Sequence, residues 1–170
     1  VHFVTAVGDD QSGRALLQSL GALGIHTDAS IVVPGKPTCS YVALHHHDKQ
    51  FWLAFEDMDI MRALTPGHIH RLRGLVNTVD MVCIDANLAA RTLESLFRLT
   101  RQYGVPVCAD PTTSALAPRL HPYLPDIAVV TPNKEEAEAL VGVPFNTPEA
   151  ISAGTRRLVQ LGVNLAVITL

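Results

Sequence analysis

The sequence predicts an α/β fold: a doubly wound, mostly parallel sheet with helices on both faces, plus a small β-hairpin. Three observations predict it. Short continuous apolar runs recur, such as Met81-Val82-Cys83-Ile84 and Ile127-Ala128-Val129-Val130. Segments whose apolar residues return at helical spacing separate them. Most of the runs end in a cluster of Gly, Asp, Asn or Pro. Strands that are apolar on both sides and alternate with amphipathic helices belong to a parallel sheet covered on both faces.

Val1 to Val7 reads as a strand closed by Gly8-Asp9-Asp10. Leu16, Leu17, Leu20 and Leu23 give a helix stopped at Gly24. Ile31-Val32-Val33 is a strand ended by Pro34-Gly35. Cys39 to Leu44 and Phe51 to Phe55, joined by the polar turn His45 to Gln50, form a hairpin that breaks the alternation. Pro66 to Leu75 reads as a short helix, and Met81 to Ile84 as a buried strand ending in Asp85-Ala86-Asn87. Leu93, Leu96, Phe97 and Thr100 line the next helix, which Gly104 ends. Val105 to Ala109 runs into Asp110-Pro111, and Ile127 to Val130 into a helix that opens at Asn133. A helix from about Pro148 to Leu161 closes at Gly162, and Leu165 to Leu170 is the last strand.

With 170 residues, 48% of them hydrophobic, the chain can bury the core of one domain or a large piece of one. A net charge of −3, mixed rather than blocked, leaves no footprint for nucleic acid and no disordered tail. No apolar run approaches the length of a membrane span, and no signal peptide is visible. Cys39, Cys83 and Cys108 are an odd number without metal spacing, so they read as reduced thiols of a cytoplasmic protein. Both ends, Val1-His2-Phe3-Val4 and Ala166 to Leu170, fall inside expected strands, which suggests a piece of a longer domain.

The candidate site lies at the strand exits, where open α/β sheets hold ligands. Asn133 and Glu136 have the spacing of a capping box, each satisfying a backbone N–H of the other. A helix N-terminus at that position also attracts phosphate, and a Glu there can hold a water of a Mg²⁺ shell. Both readings can hold at once. Asp110-Pro111 is either a turn or a group near phosphates or metal. Asp85 and Asn87 end a third strand, and Asn87 either caps or bonds a substrate hydroxyl. Gly8 to Gly13 lacks the pattern of a dinucleotide fingerprint or P-loop, and reads as a tight turn with an Asp capping the next helix. His45-His46-His47 looks like a metal tract, yet neighbouring strand residues face opposite ways, so a solvated hairpin tip is the better reading. There is no Gly-x-Ser-x-Gly elbow.

In order along the chain, several motifs resemble the ribokinase-like (PfkB) carbohydrate kinases. Ala6-Val7-Gly8-Asp9-Asp10-x-x-Gly13, followed by Leu20-x-x-x-Gly24-Ile25, resembles the family's first conserved block. Pro37 to Phe55 resembles its β lid, and Thr131-Pro132-Asn133-x-x-Glu136 its N-x-x-E motif. Within the family, Val33-Pro34-Gly35-x-x-Thr38-x-Ser40-Tyr41, Asp57-Met58-Asp59-Ile60, Asp85-x-Asn87 and Asp110-Pro111 resemble the pseudouridine kinases.

That resemblance implies ATP and Mg²⁺ as the cofactors, and phosphorylation of the 5′-hydroxyl of a ribosyl substrate such as pseudouridine. Another sugar or nucleoside (ribose, fructose, adenosine) is the alternative, and a non-catalytic nucleotide-binding or dimerisation module is a further one. It implies that Asn133 and Glu136 organise the Mg²⁺–phosphate region and that Asp110 lies near the phosphates. Asn87 would meet a ribose hydroxyl, with Thr38, Ser40, Asp57 and Asp10 on the substrate side of the lid, at about 37–57. The lid hairpin, with Phe51, Trp52 and Phe55, would suit pairing with a second copy. No residue here matches the catalytic Asp of the family's G-A-G-D segment, which is expected beyond Leu170, as the glycine-rich segment is expected before Val1. Residues 1–170 are therefore expected to form a partial kinase domain that is inactive alone.

Overall fold

The computed structural model describes residues 1–48 and 51–169; Lys49, Gln50 and Leu170, and the side chain of Phe51, lie outside the described residues. Two compact units divide the chain, Val1–Thr65 and Pro66–Leu170.

In the N-terminal unit, β1 (Ala6–Gly8) pairs in parallel with β2 (Ile31–Val33), and α1 (Gln11–Ala22) connects them. The strand expected over Val1 to Val7 is thus confined to its last residues. Its partner is only 3 residues long, so the ladder cannot extend further back. Val1 is 89% exposed, and His2 meets the sheet region only through a bridge to His26, whose ring stacks on its own. Ala6 and Val7 are buried. The expected hairpin is present as β3 (Ser40–His45) and β4 (Phe51–Asp57), antiparallel, with a register shift at Leu44/His45. Residues directly opposite share a face, so Ser40–Asp57, Val42–Phe55 and Leu44–Leu53 line one side. A 3₁₀ turn, Asp59–Ala63, buries Ile60 beneath β1 and β2.

The C-terminal unit holds a four-stranded parallel sheet in the order β5 (Val82–Asp85), β6 (Val107–Asp110), β7 (Ile127–Val130) and β8 (Leu165–Ala166). Parallel crossovers are right-handed as a rule, and in a sequential order such as this one the rule sends the connections to one face of the strands. Ile69, Val76, Leu96 and Leu99 pack there against Val82 and Ile84. The first helical segment is split into α2 (Pro66–Arg71) and α3 (Arg73–Val76) rather than continuous from Pro66 to Leu75. At the break, Leu72 N–H bonds Ile69 C=O, a tighter 3₁₀ step. The helix α4 (Ala90–Tyr103) buries Leu93, Leu96, Phe97 and Thr100, as its spacing predicts, and ends on Gly104 at φ 67°.

Between β6 and β7 lies a 3₁₀ stretch, Ala117–Asp126, that the hydrophobic pattern does not announce. Pro118, Pro122 and Pro125 lack the N–H an α-ladder needs. The helices α5 (Lys134–Val141) and α6 (Pro148–Gln160) connect β7 to β8. They close over Phe145, against whose ring Gly154 packs so tightly that a Cβ there would sit 2.1 Å from it. The last strand is shorter than expected over the described residues; beyond Ala166, Val167 N–H bonds Val130 C=O at 2.9 Å and Thr169 bridges to Asn133, while the expected end at Leu170 lies outside the described residues.

Candidate functional site

All four strands of the C-terminal sheet run the same way, so their carboxyl ends share one edge. Asp85 and Asp110 are register partners at the ends of β5 and β6. Next to them Thr131 N–H bonds Ala109 C=O at 3.1 Å, which ties the exit of β7 to that of β6. Four sequence-predicted residues, Asn87, Asp110, Asn133 and Glu136, therefore fall at successive exits of one sheet.

Asn133 caps α5, and the box is complete. Asn133 Oδ1 accepts from Glu136 N–H, Glu136 Oε2 accepts from Asn133 N–H, and Glu136 Oε1 accepts from Asn133 Nδ2, each at 2.9 Å. Glu136 is only 5% exposed. The local capping function is thus fully built. The same geometry tests a divalent cation. Each of these three oxygens already accepts a hydrogen bond, so the pair suits holding metal-bound water better than direct ligation.

Asp110 builds the exit of β6. Its Oδ1 accepts from Thr112 N–H at 2.7 Å, in an Asx turn. Thr112 is the only described non-glycine residue at positive φ, 69°. For a β-branched residue such a conformation costs roughly 1–3 kcal/mol and persists only where the surroundings impose it. They do: Thr112 Oγ1 accepts from Ala86 N–H at 3.1 Å. Asp85 Oδ1 accepts from Asn87 N–H at 2.9 Å. Arg119, from the proline-rich stretch, donates through Nη1 to Ala86 C=O at 3.2 Å and Leu88 C=O at 3.3 Å. Neither Thr112 nor Arg119 was visible as a site residue in the sequence. A positive φ at Thr leaves no compositional trace, and Arg119 follows a proline in a stretch without periodicity.

The other predicted residues, Asp10, Thr38, Ser40 and Asp57, belong to the N-terminal unit. Asp10 is the N-cap of α1, as its place after Gly8 predicts. Its Oδ1 accepts from Gly13 N–H at 2.8 Å and from Thr38 Oγ1 at 2.6 Å, and its Oδ2 from Thr38 N–H at 2.8 Å. Thr38 Oγ1 in turn accepts from Gly8 N–H at 2.9 Å. The Thr38 hydroxyl, then the Thr38 and Gly13 N–H groups, hold the Asp10 carboxyl down at about 2, from an ordinary value of 3.8. Asp10 and Thr38 are thus committed to each other. The glycines make room for this: a Cβ on Gly13 would lie 2.4 Å from Gly8 C=O and 2.8 Å from Thr38 Oγ1. Ser40 and Asp57 are exposed register partners at the base of the hairpin. Among the described residues, no three His, Cys, Asp or Glu side chains gather to hold a metal, His45 to His47 included. No described helix is long and apolar enough to cross a membrane.

A parallel α/β sheet with polar side chains massed at its carboxyl edge, and an Asn-x-x-Glu box among them, belongs to the class of open α/β folds that hold ligands at the strand exits. The family model "pfkB family carbohydrate kinase" matches residues 1–170, and the chain belongs to that family. Over 167 residues it is 27% identical to pseudouridine kinase of Escherichia coli K12, covering 98% of this chain and 53% of that one. It is 29% identical to the uncharacterized sugar kinase YeiI of the same strain, covering 96% and 44%. The chain thus spans about half the length of these curated relatives. Among solved structures it resembles a carbohydrate kinase from Agrobacterium tumefaciens, with TM-score 0.79, 24% identity, and 99% and 53% coverage. Ribokinase of Arabidopsis thaliana, complexed with ribose and ATP, gives TM-score 0.76 at 23% identity, with 98% and 54% coverage. These likenesses establish the fold.

Proposed function

We propose that the full-length protein transfers the γ-phosphoryl group of ATP to the 5′-hydroxyl of a ribosyl acceptor, with pseudouridine as the acceptor. The observation that carries this reading is the Asn133–Glu136 box beside Asp110 at adjacent strand exits. Phosphoryl transfer needs positioning and charge stabilisation more than covalent chemistry, and a rigid row of strand exits supplies positioning. Mg²⁺, when bound, would neutralise charge developing on the phosphates. Glu136 and Asn133 would orient water around it, Asp110 would flank the phosphates, and Asn87 would accept or donate to a ribose hydroxyl.

In the N-terminal unit, we assign Ser40 and Asp57 to the substrate-facing side of a lid. We keep Asp10 and Thr38 on that same side, where their mutual hydrogen bonds also anchor the base of the lid. A lid that excludes water favours transfer to the sugar over hydrolysis of ATP. The proton of the acceptor hydroxyl has no assigned base in this chain; the resemblance places that Asp in a segment that these 170 residues do not match. The 170-residue chain alone is accordingly expected to turn over little. The likeness to pseudouridine kinase supports the choice of acceptor.

The hairpin also supports pairing with a second copy of the chain: on the face opposite Ser40 and Asp57, Tyr41 and Trp52 are 58% and 61% exposed. A size measurement across a concentration series tests that pairing, and a particle that stays monomeric throughout removes it. For the reaction, the full-length protein is mixed with Mg²⁺-ATP and a panel of pseudouridine, ribose, fructose and adenosine, and products are read by mass spectrometry. Pseudouridine 5′-phosphate as the dominant product is expected. Dominance of another acceptor overturns the substrate, and nucleotide binding with no product from any acceptor overturns the kinase reading.

A further inference from the structure

The turn between β5 and α4 is held by groups from beyond β6. Ala86 N–H is shared between Asp110 C=O, at 3.0 Å, and Thr112 Oγ1, at 3.1 Å. The carbonyls on either side of Asn87, those of Ala86 and Leu88, are bridged by one guanidinium nitrogen of Arg119. Asn87 itself gives its N–H to Asp85. Ala86 and Leu88 are buried, whereas Asn87 is half-buried. The backbone around Asn87 is therefore fastened from both sides, while its side-chain amide has no hydrogen bond among the described residues.

We infer that Arg119 and Thr112 are positioning residues for the acceptor subsite, which pin the Ala86–Leu88 turn to the exit of β6 and so aim the Asn87 amide. This rests on the phosphotransfer reading above. A guanidinium suits the task because its donors are fixed in a plane and it stays charged at any working pH. Hydrogen bonds from a charged donor are also the stronger kind. Without it, the two carbonyls turn to water and the peptide planes flanking Asn87 lose their orientation. Thr112 contributes a second acceptor for Ala86 N–H beside Asp110 C=O, and the left-handed backbone at Thr112 is the conformation from which it does so. Arg119 touches neither reacting group, so its loss should weaken acceptor binding without slowing chemistry on bound acceptor.

The test uses the full-length protein with Arg119→Met, Arg119→Lys, Thr112→Ala and Thr112→Ser. Arg119→Met keeps the stem and removes the donors. It should raise the acceptor KM roughly tenfold, the effect of losing a charge-assisted hydrogen bond, with the KM for ATP and kcat nearly unchanged. Arg119→Lys should restore part of the loss, and Thr112→Ser should match wild type where Thr112→Ala does not. Amide hydrogen exchange at Ala86 and Asn87 should quicken in Arg119→Met and nowhere else in the sheet. An unchanged acceptor KM with unchanged exchange overturns the inference. A parallel fall in kcat and rise in both KM values, with a lowered melting temperature, overturns it too by making Arg119 merely structural. If wild type phosphorylates no acceptor, the function proposed above fails by itself. The exchange measurement then decides the clamp: quickened exchange at Ala86 and Asn87 supports it, and unchanged exchange sinks it.

Discussion

At the exit of β1, Asp10 caps α1 and also grips Thr38, 28 residues further along. At the exit of β7, Asn133 caps α5 and is answered by Glu136, 3 residues away. Both turns satisfy the start of a helix with a short polar side chain. They differ in what else that side chain does. The Asp10 turn fastens two distant pieces of chain through its carboxylate. The Asn133 box is local: its three hydrogen bonds run between two residues of one helical turn. Chemistry is therefore expected at the C-terminal strand exits, and architecture at the N-terminal one.

The sharpest way to break this contrast is Gly8→Ala. The added Cβ would meet Lys36 C=O at 2.1 Å and Thr38 N at 2.8 Å, both backbone atoms that cannot swing away. A loss of roughly 3 kcal/mol or more is expected, at the upper end of overpacking effects, read as a lowered urea midpoint. An unchanged midpoint would mean that the Asp10 turn is loose rather than locked.

Next in size is the box. Glu136→Ala strips the partner from Asn133 N–H and should cost about 1–2 kcal/mol. Glu136→Gln retains an acceptor for that N–H and should cost about 0.5–1 kcal/mol. Equal losses from the two variants in the same unfolding series would show that the negative charge, not the cap, does the structural work.

The smallest effect is electrostatic. The carboxyl of Asp10 is depressed in the folded chain to about 2. Its contribution to stability is therefore complete above its ordinary value of 3.8 and is lost as pH falls through about 2. The midpoint difference between wild type and Asp10→Asn should hold steady near neutral pH and shrink below pH 3.8. A difference that grows on acidification would contradict the Asp10–Thr38 tie.

Local grammar made much of this legible. Met81 to Ile84 and Ile127 to Val130 are short apolar runs, and the sheet contains them within a residue at either end. Asn133 and Glu136 announce their own cap, and Gly104 its helix end. Long-range pairing was not legible. Nothing in Asp10 names Thr38 as its partner, and nothing in Val1 to Val4 says that β2 is too short to pair with them. The break at Leu72 depends on one hydrogen bond going to the i−3 rather than the i−4 carbonyl, which no residue pattern there announces. Thr112 and Arg119 were silent for the same reason: their roles exist only once β5 and β6 lie side by side.

The account is tested most directly by phosphoryl transfer in the full-length Glu136→Gln protein, compared with wild type at equal folded fraction, with Mg²⁺-ATP and pseudouridine. A fall of at least about tenfold, the scale of one lost charge-assisted interaction, with the fold intact, is the predicted result. Full activity in that variant would contradict the account and return Asn133 and Glu136 to the role of a helix cap alone.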